Sequence, residues 1–278
     1  MTDLLVKNCL LLQKKTPQDI LIKGGVIKDI ASKITVDNIP SIDADFHFVT
    51  PPFVDSHFHM DATLSYGLPR VNKSGTLLEG IKLWGELKPN LTADAIKERA
   101  LKFCKWAIAR GTLAIRSHVD VSGQNLVGVE ALLDVRETMK DYIDIQLVAF
   151  PQDGLLRANC LDNLNTALDM GVDVVGGIPH FERTMEEGHE SIRILCEIAE
   201  KRGLLTDLHC DETDDPMSRH VEKLALETTR LGLQGRVAGS HLTSMHSLDN
   251  YYFTTVSYTH LRAHETGRNL VCRLLLEK

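Results

Sequence analysis

The chain has no excess of basic residues: 31 Lys and Arg stand against 38 Asp and Glu, for a formal charge of -7 and a pI near 5.9. That excludes the electrostatic footprint of a nucleic-acid or anionic-lipid binder and leaves a small, uncharged molecule as the expected partner. No apolar run approaches the roughly 18 residues of a membrane span. The opening Met1–Asn8 segment has no basic stretch followed by an apolar core, so a cytoplasmic protein without membrane contact is expected. The six cysteines, Cys9, Cys104, Cys160, Cys196, Cys210 and Cys272, form no C-x-x-C pair, which argues against a disulfide framework and a thiolate zinc site. What the chain does have is apolar material: 43% of 278 residues are hydrophobic, enough for a large core.

Residues 1 to about 50 read as short strands, Leu4–Val6, Ile20–Ile22, Val26–Ile30 and Phe46–Val49, punctuated by Gly24-Gly25 and Pro40. From Pro51 the texture changes to six short apolar runs: Phe53–His59, Thr112–Asp120, Ile143–Phe150, Val172–Ile178, Leu204–Cys210 and Arg236–His241. Amphipathic segments separate them. The clearest starts at Thr92 as N-cap, carries Ile96, Ala100, Phe103, Cys104 and Ala107 on one face, and stops at Gly111; Glu187–Arg202 and Met217–Leu231 follow the same logic. Apolar strands alternating with helices predict an α/β fold with a parallel sheet. No G-x-G-x-x-G follows the first strand, so six units of a (β/α)8 barrel at 51–253, behind a small N-terminal β-domain segment at 1–50, are preferred to a dinucleotide-binding sheet.

Three barrel strands end in histidine. His57-Phe58-His59 ends the first, and strand alternation sends both imidazoles to one face. His209 ends the fifth, with Glu212 three residues later, and His241 ends the sixth. In a parallel barrel the C-terminal strand ends line the site, and three neutral imidazoles form a common ligand set for zinc or ferrous iron. Each residue also has a plainer reading. Asp211-Glu212-Thr213-Asp214-Asp215 reads equally as a solvated helix entry, and Gln152 as a loop hydrogen bond. His118 reads as a packed strand end or a site residue, and His180 and His246 are left open. His47, His189 and His220 read as surface or packing residues. Trp84 and Trp106 read as helix packing, with cover over a pocket as a second role for Trp84.

The segments Val49–Asp61, Phe150-Pro151-Gln152, Ile178-Pro179-His180-Phe181-Glu182, His209-Cys210-Asp211-Glu212 and Ser240-His241-Leu242-Thr243 together resemble the bacterial cytosine deaminases of the amidohydrolase superfamily. The resemblance runs from the N-terminus to about Tyr252. It implies hydrolysis of cytosine to uracil and ammonia, in pyrimidine salvage. One divalent metal, Fe2+ or Zn2+, would be held by His57, His59 and His209, so that water ionises near neutral pH. Glu212 would move protons to the ring nitrogen and the departing ammonia, His241 would orient the nucleophile, and Gln152 would read the ring amide edge. A single metal is expected because Ile178-Pro179-His180, with no lysine, ends the fourth strand. A homo-oligomer is compatible with this reading.

The likeness stops after Tyr252. Residues 254–278 read as a non-native tail resembling translated sequencing-adapter read-through, and His260 and His264 are discounted for that reason. The eighth-strand aspartate of the superfamily is missing from the sequence, so edge strands without partners and an unstable literal chain are expected. Two other functional readings stay open: a related amidohydrolase acting on isoguanine, creatinine or an aminotriazine, and an inactive truncated fragment or metal-binding pseudoenzyme.

Overall fold

Gly24 and Gly25, with φ of +60° and +78°, supply the left-handed turn that folds Gln18–Lys23 (β2) back on Val26–Ala31 (β3). With Leu4–Cys9 (β1) and Ser41–Asp43 (β4) they form a four-stranded sheet of order β3-β2-β1-β4, in which β4 runs parallel to β1. The strand expected at Phe46–Val49 is corrected: the pairing strand is β4, and Phe48 makes one isolated bridge to Leu10. The cause is local polar bonding. Asp43 accepts Asn8 Nδ2 at 2.9 Å and the Asp45 amide at 2.9 Å, and Asp45 and Phe46 then turn through positive φ.

The computed structural model describes residues 3–256, in two compact units, one up to Phe53 and one from Val54 on. The second unit is built on a six-stranded sheet: β5 (Phe53–Phe58), β6 (Thr112–Asp120), β7 (Asp144–Phe150), β8 (Val174–Gly177), β9 (Leu205–Cys210) and β10 (Val237–His241). They lie in sequence order, and the pairs from β6 to β10 are parallel. Helices return the chain between strands: α1 (Leu77–Leu87), α2 (Ala93–Ala109), α3 (Val127–Met139), α4 (Cys160–Asp169), α5 (Met185–Arg202) and α6 (His220–Arg230); α7 (Asn250–Val256) follows β10. This is the α/β fold of a TIM-type barrel, six β/α units long, preceded in the chain by an N-terminal β segment. The tail read as non-native contributes Thr254–Val256 to α7, and the rest of it, with His260 and His264, lies outside the described residues.

Local signals explain the helices. Thr92 Oγ1 accepts the Ala95 amide at 3.3 Å, and Ile96, Ala100 and Cys104 of α2 are buried as the periodicity predicts. Thr184 caps α5 by accepting the Glu187 amide, so that helix starts at Met185, and Gly203 closes it at φ +69°. The core joins these helices to the sheet through Leu132, Val135, Leu147, Val175, Leu195, Leu208 and Leu224. Among the described residues no helix is long and apolar enough to cross a membrane.

Close strand packing makes one glycine indispensable. A Cβ on Gly176 would lie 2.5 Å from the Ala149 carbonyl oxygen and 2.8 Å from Val148 Cγ1. Gly176→Ala must push β8 off β7, and we expect a loss of about 1–3 kcal/mol in urea denaturation. An unchanged midpoint would contradict this packing.

Candidate metal centre and cavity

Strand alternation stacks polar side chains inside the sheet. Arg116 and His118 share one face of β6, Asp207 and His209 one face of β9, and the two faces meet. Arg116 Nη1 donates to Asp207 Oδ2 at 2.8 Å and Arg116 Nε to Gln146 Oε1 at 2.7 Å, while Ser240 Oγ donates to Asp207 Oδ1 at 2.7 Å. This polar layer supports the imidazoles one step further along the strands. His118 Nε2 stands 3.8 Å from Asp207 Oδ1.

Above it the histidines converge. His59 Nε2 and His209 Nε2 are 3.1 Å apart, and the ligand atoms of His57, His59, His118 and His209 all lie within 4.8 Å of one another. The His241 ring sits 4.7 Å from that of His57 and 4.9 Å from that of His209. Phe150 stacks on His209 at 4.2 Å and closes one side. The structure thus brings together all four histidines singled out at strand ends and adds His118, which is fully buried and belongs to the cluster.

Burial, followed by mutual repulsion with the neighbouring imidazoles, lowers the His57 pKa to about 4 and that of His59 to about 3, and holds His209 lower still. At neutral pH these rings carry free lone pairs and no charge. His57 Nδ1, His209 Nδ1 and both nitrogens of His118 are buried without a hydrogen-bond partner. Each such orphan costs about 1–3 kcal/mol, so the cluster is poor as mere packing. Neutral, convergent nitrogen donors of this kind fit a divalent cation.

A cavity of about 340 Å³ opens beside the cluster, lined by His57, His59, His209 and His241 together with Gln152, Glu212, Ile178 and the α1 residues Leu77, Ile81 and Trp84. Its size is that of a small-molecule site. Glu212 Oε1 stands 3.7 Å from His241 Nδ1, and burial raises the Glu212 carboxyl pKa against the opposing pull of His241. His241 and Leu242 are held at φ of +72° and +52°, a strained turn at the mouth of the cavity.

The acidic stretch is not one solvated helix entry. Asp214 and Asp215 are exposed, Glu212 faces the cavity, and Asp211 is fully buried. Asp211 accepts His220 Nδ1 at 2.7 Å, Ser218 Oγ at 2.7 Å and the Val221 amide at 2.9 Å, tying the loop to the start of α6. Burial alone would raise its pKa, but His220, Ser218 and that amide outweigh it and bring it to about 2. His220 is therefore a buried partner of Asp211. His180 lines a neighbouring cavity of about 380 Å³ with Glu212, His246 and His47 are exposed, and His189 packs near His220. Trp106 is half exposed, and Trp84 is a wall of the cavity. Sequence reasoning passed over Arg116, Asp207 and Asp61, whose signal is the period-two spacing to His118, His209 and His59.

The amidohydrolase family model matches residues 41–256. The chain is 34% identical over 252 residues to N-isopropylammelide isopropyl amidohydrolase of Pseudomonas sp. (strain ADP), a match covering 86% of this chain and 60% of that relative. It is 29% identical to pterin deaminase of Rhizobium rhizogenes, over 82% of this chain and 52% of that one. Among solved structures, 5-methylcytosine deaminase from Klebsiella pneumoniae liganded with phosphonocytosine is similar at TM-score 0.88 and 39% identity, over 93% of this chain and 64% of that chain. The chain thus spans between about half and two thirds of the length of these relatives.

Two outcomes follow from the electrostatics. Because His57 and His59 titrate near 4 and 3, protons do not compete for them above pH 5, and calorimetric Zn2+ affinity should be nearly flat from pH 5.5 to 7.5. Ligands at 6.5 would instead lose about tenfold per imidazole at pH 5.5, and that slope would contradict the assignment. Asp211→Asn should cost about 2–4 kcal/mol in urea denaturation. Since the folded pKa lies below the ordinary 3.8, this stabilisation is present above pH 4 and lost as pH falls toward 2, so the variant should show a flatter acid limb than the parent.

Proposed function

The chain belongs to the amidohydrolase family, and on that premise we propose that its cavity serves hydrolytic deamination of cytosine or a close analogue, giving the keto heterocycle and ammonia. The observation that carries this reading is the meeting of Gln152, Glu212 and His241 in one cavity beside the imidazole cluster. His57, His59 and His209 would hold one divalent cation, Fe2+ or Zn2+, which supplies Lewis-acid activation of water when bound.

The chain's own groups account for the remaining tasks. Gln152 offers an amide donor and an acceptor to the ring amide edge, which orients the amino-bearing carbon toward the histidines. Glu212, with its pKa raised by burial, is placed to give a proton to the ring nitrogen, and as the carboxylate to take one from the attacking water and pass it to the departing amine. His241, beside Glu212, orients the attacking water. Water and the amine exchange at one carbon, so the balance is R–NH2 plus H2O to the keto form plus NH3. The apolar walls Leu77, Ile81 and Ile178 suit a neutral ring, in keeping with the protein's lack of a basic surface. A cytoplasmic role in pyrimidine salvage belongs to the same reading.

A second reading is an aminotriazine or another cyclic amidine as substrate, favoured by the 34% identity to the isopropylammelide enzyme. Ammonia release from the metal-loaded protein across a panel of cytosine, 5-methylcytosine, isoguanine and an aminotriazine separates the two. Cytosine-class turnover that is abolished by chelation is the expected result. Glu212→Gln should lower kcat by about 10²–10⁴-fold, and parent-like turnover in that variant would remove Glu212 from proton transfer.

A further inference from the structure

One wall of the cavity is a helix, and its fastening is unusual. Leu77, Ile81 and Trp84 recur on one face of α1, and that face ends at Lys88, four residues beyond Trp84. Trp84 Nε1 donates to Asp120 Oδ2 at 2.7 Å, and Lys88 Nζ reaches the same oxygen at 3.0 Å. Lys88 Nζ also donates to Asp153 Oδ2 at 2.7 Å. Asp120 is nearly buried at the end of β6, and its other oxygen accepts the Ser122 amide at 2.7 Å. Ser122 Oγ in turn accepts the Asp153 amide at 2.9 Å. Asp153 directly follows Gln152. The Asp120 amide donates to Asp61 Oδ2 at 2.9 Å, and Asp61 lies two residues after His59.

We propose that Lys88 is a positioning residue: its ammonium, shared between Asp120 and Asp153, locks the α1 wall and the Gln152 loop to the end of β6 as one unit. This rests on the reading of the cavity as the substrate site. The Lys88 and Asp120 side chains are only 17% and 5% exposed, so this charge-assisted bond is stronger than a surface pair, and Lys88 extends it to the half-exposed carboxylate of Asp153. Asp153 is held at three points: its amide donates to Ser122 Oγ, its carbonyl accepts Arg157 Nε at 3.1 Å, and its carboxylate accepts Lys88, the one contact that also reaches the α1 wall. The loop carrying Gln152 therefore keeps one orientation before any substrate arrives, which reduces the ordering cost of binding. Glu212 follows β9 and His241 ends β10, away from these contacts, so losing Lys88 should weaken recognition more than proton transfer.

The test uses the full metal-loaded chain with Lys88→Met and Asp153→Asn. Kinetics of ammonia release are combined with amide hydrogen exchange over 77–87 and 151–156. Lys88→Met should raise KM by about tenfold or more with kcat changed less than threefold, and should speed exchange in both segments. Asp153→Asn should speed exchange in 151–156 while leaving 77–87 as in the parent. It also decides the matter if Lys88→Met does not fold. Unaltered exchange in 151–156 in both variants, or a fall in kcat at constant KM, overturns the positioning role. A parent that releases no ammonia from any substrate of the panel refutes the functional reading instead, and the exchange data then decide on the lock by themselves.

Discussion

Burial of neutral imidazoles at the ends of parallel strands is the constraint around which the second unit is organised. Removing His57, His59 and His209 from water holds them neutral well below pH 7, and several ring nitrogens of the cluster, those of His118 included, are left without partners. Such a cluster is tolerable only if something else satisfies it or holds it in place. The Arg116–Asp207–Ser240 layer does the holding from below, and a cation that accepts the converging lone pairs would do the satisfying. The same low polarity raises the Glu212 pKa, so one environment shifts both the imidazoles and the neighbouring carboxyl toward their neutral forms.

Around this centre, carboxylates that look alike in sequence do different work because their surroundings differ. Asp211 is consumed by His220, Ser218 and the start of α6, and it fixes where the β9 loop can go. Glu212, one residue on, is thereby turned into the cavity. Asp120 and Asp153 take part in fastening the opposite wall. Together these contacts make a cavity whose shape is set by buried polar bonds, with apolar side chains filling the space between them.

Family membership and the cavity agree about the class of chemistry. The relatives span cytosine, pterin and ammelide derivatives, a shared theme of C–N bonds on nitrogen heterocycles. Gln152 and the α1 residues Leu77, Ile81 and Trp84 line this cavity without belonging to the histidine cluster.

Strand-end histidines, alternation of apolar runs with amphipathic helices, and threonine or glycine caps are local patterns, so the parallel α/β architecture and the interest of His57, His59, His209, His241, Glu212 and Gln152 were legible in the sequence. It also marked β1 to β3, because Gly24-Gly25 leaves little choice of turn. It misplaced β4, where Asn8 and Asp43, 35 residues apart, decide the pairing. It gave bounds only for the segments that became α2, α5 and α6, and left α1, α3 and α4 among the amphipathic segments without defined ends. That His118 joins the cluster, that Arg116 bonds Asp207 across 91 residues, and that Trp84 and Lys88 both bond Asp120 came only from the folded chain. Those facts depend on which strands become neighbours and on which side chains lose water together, and neither is encoded within any short window of the chain.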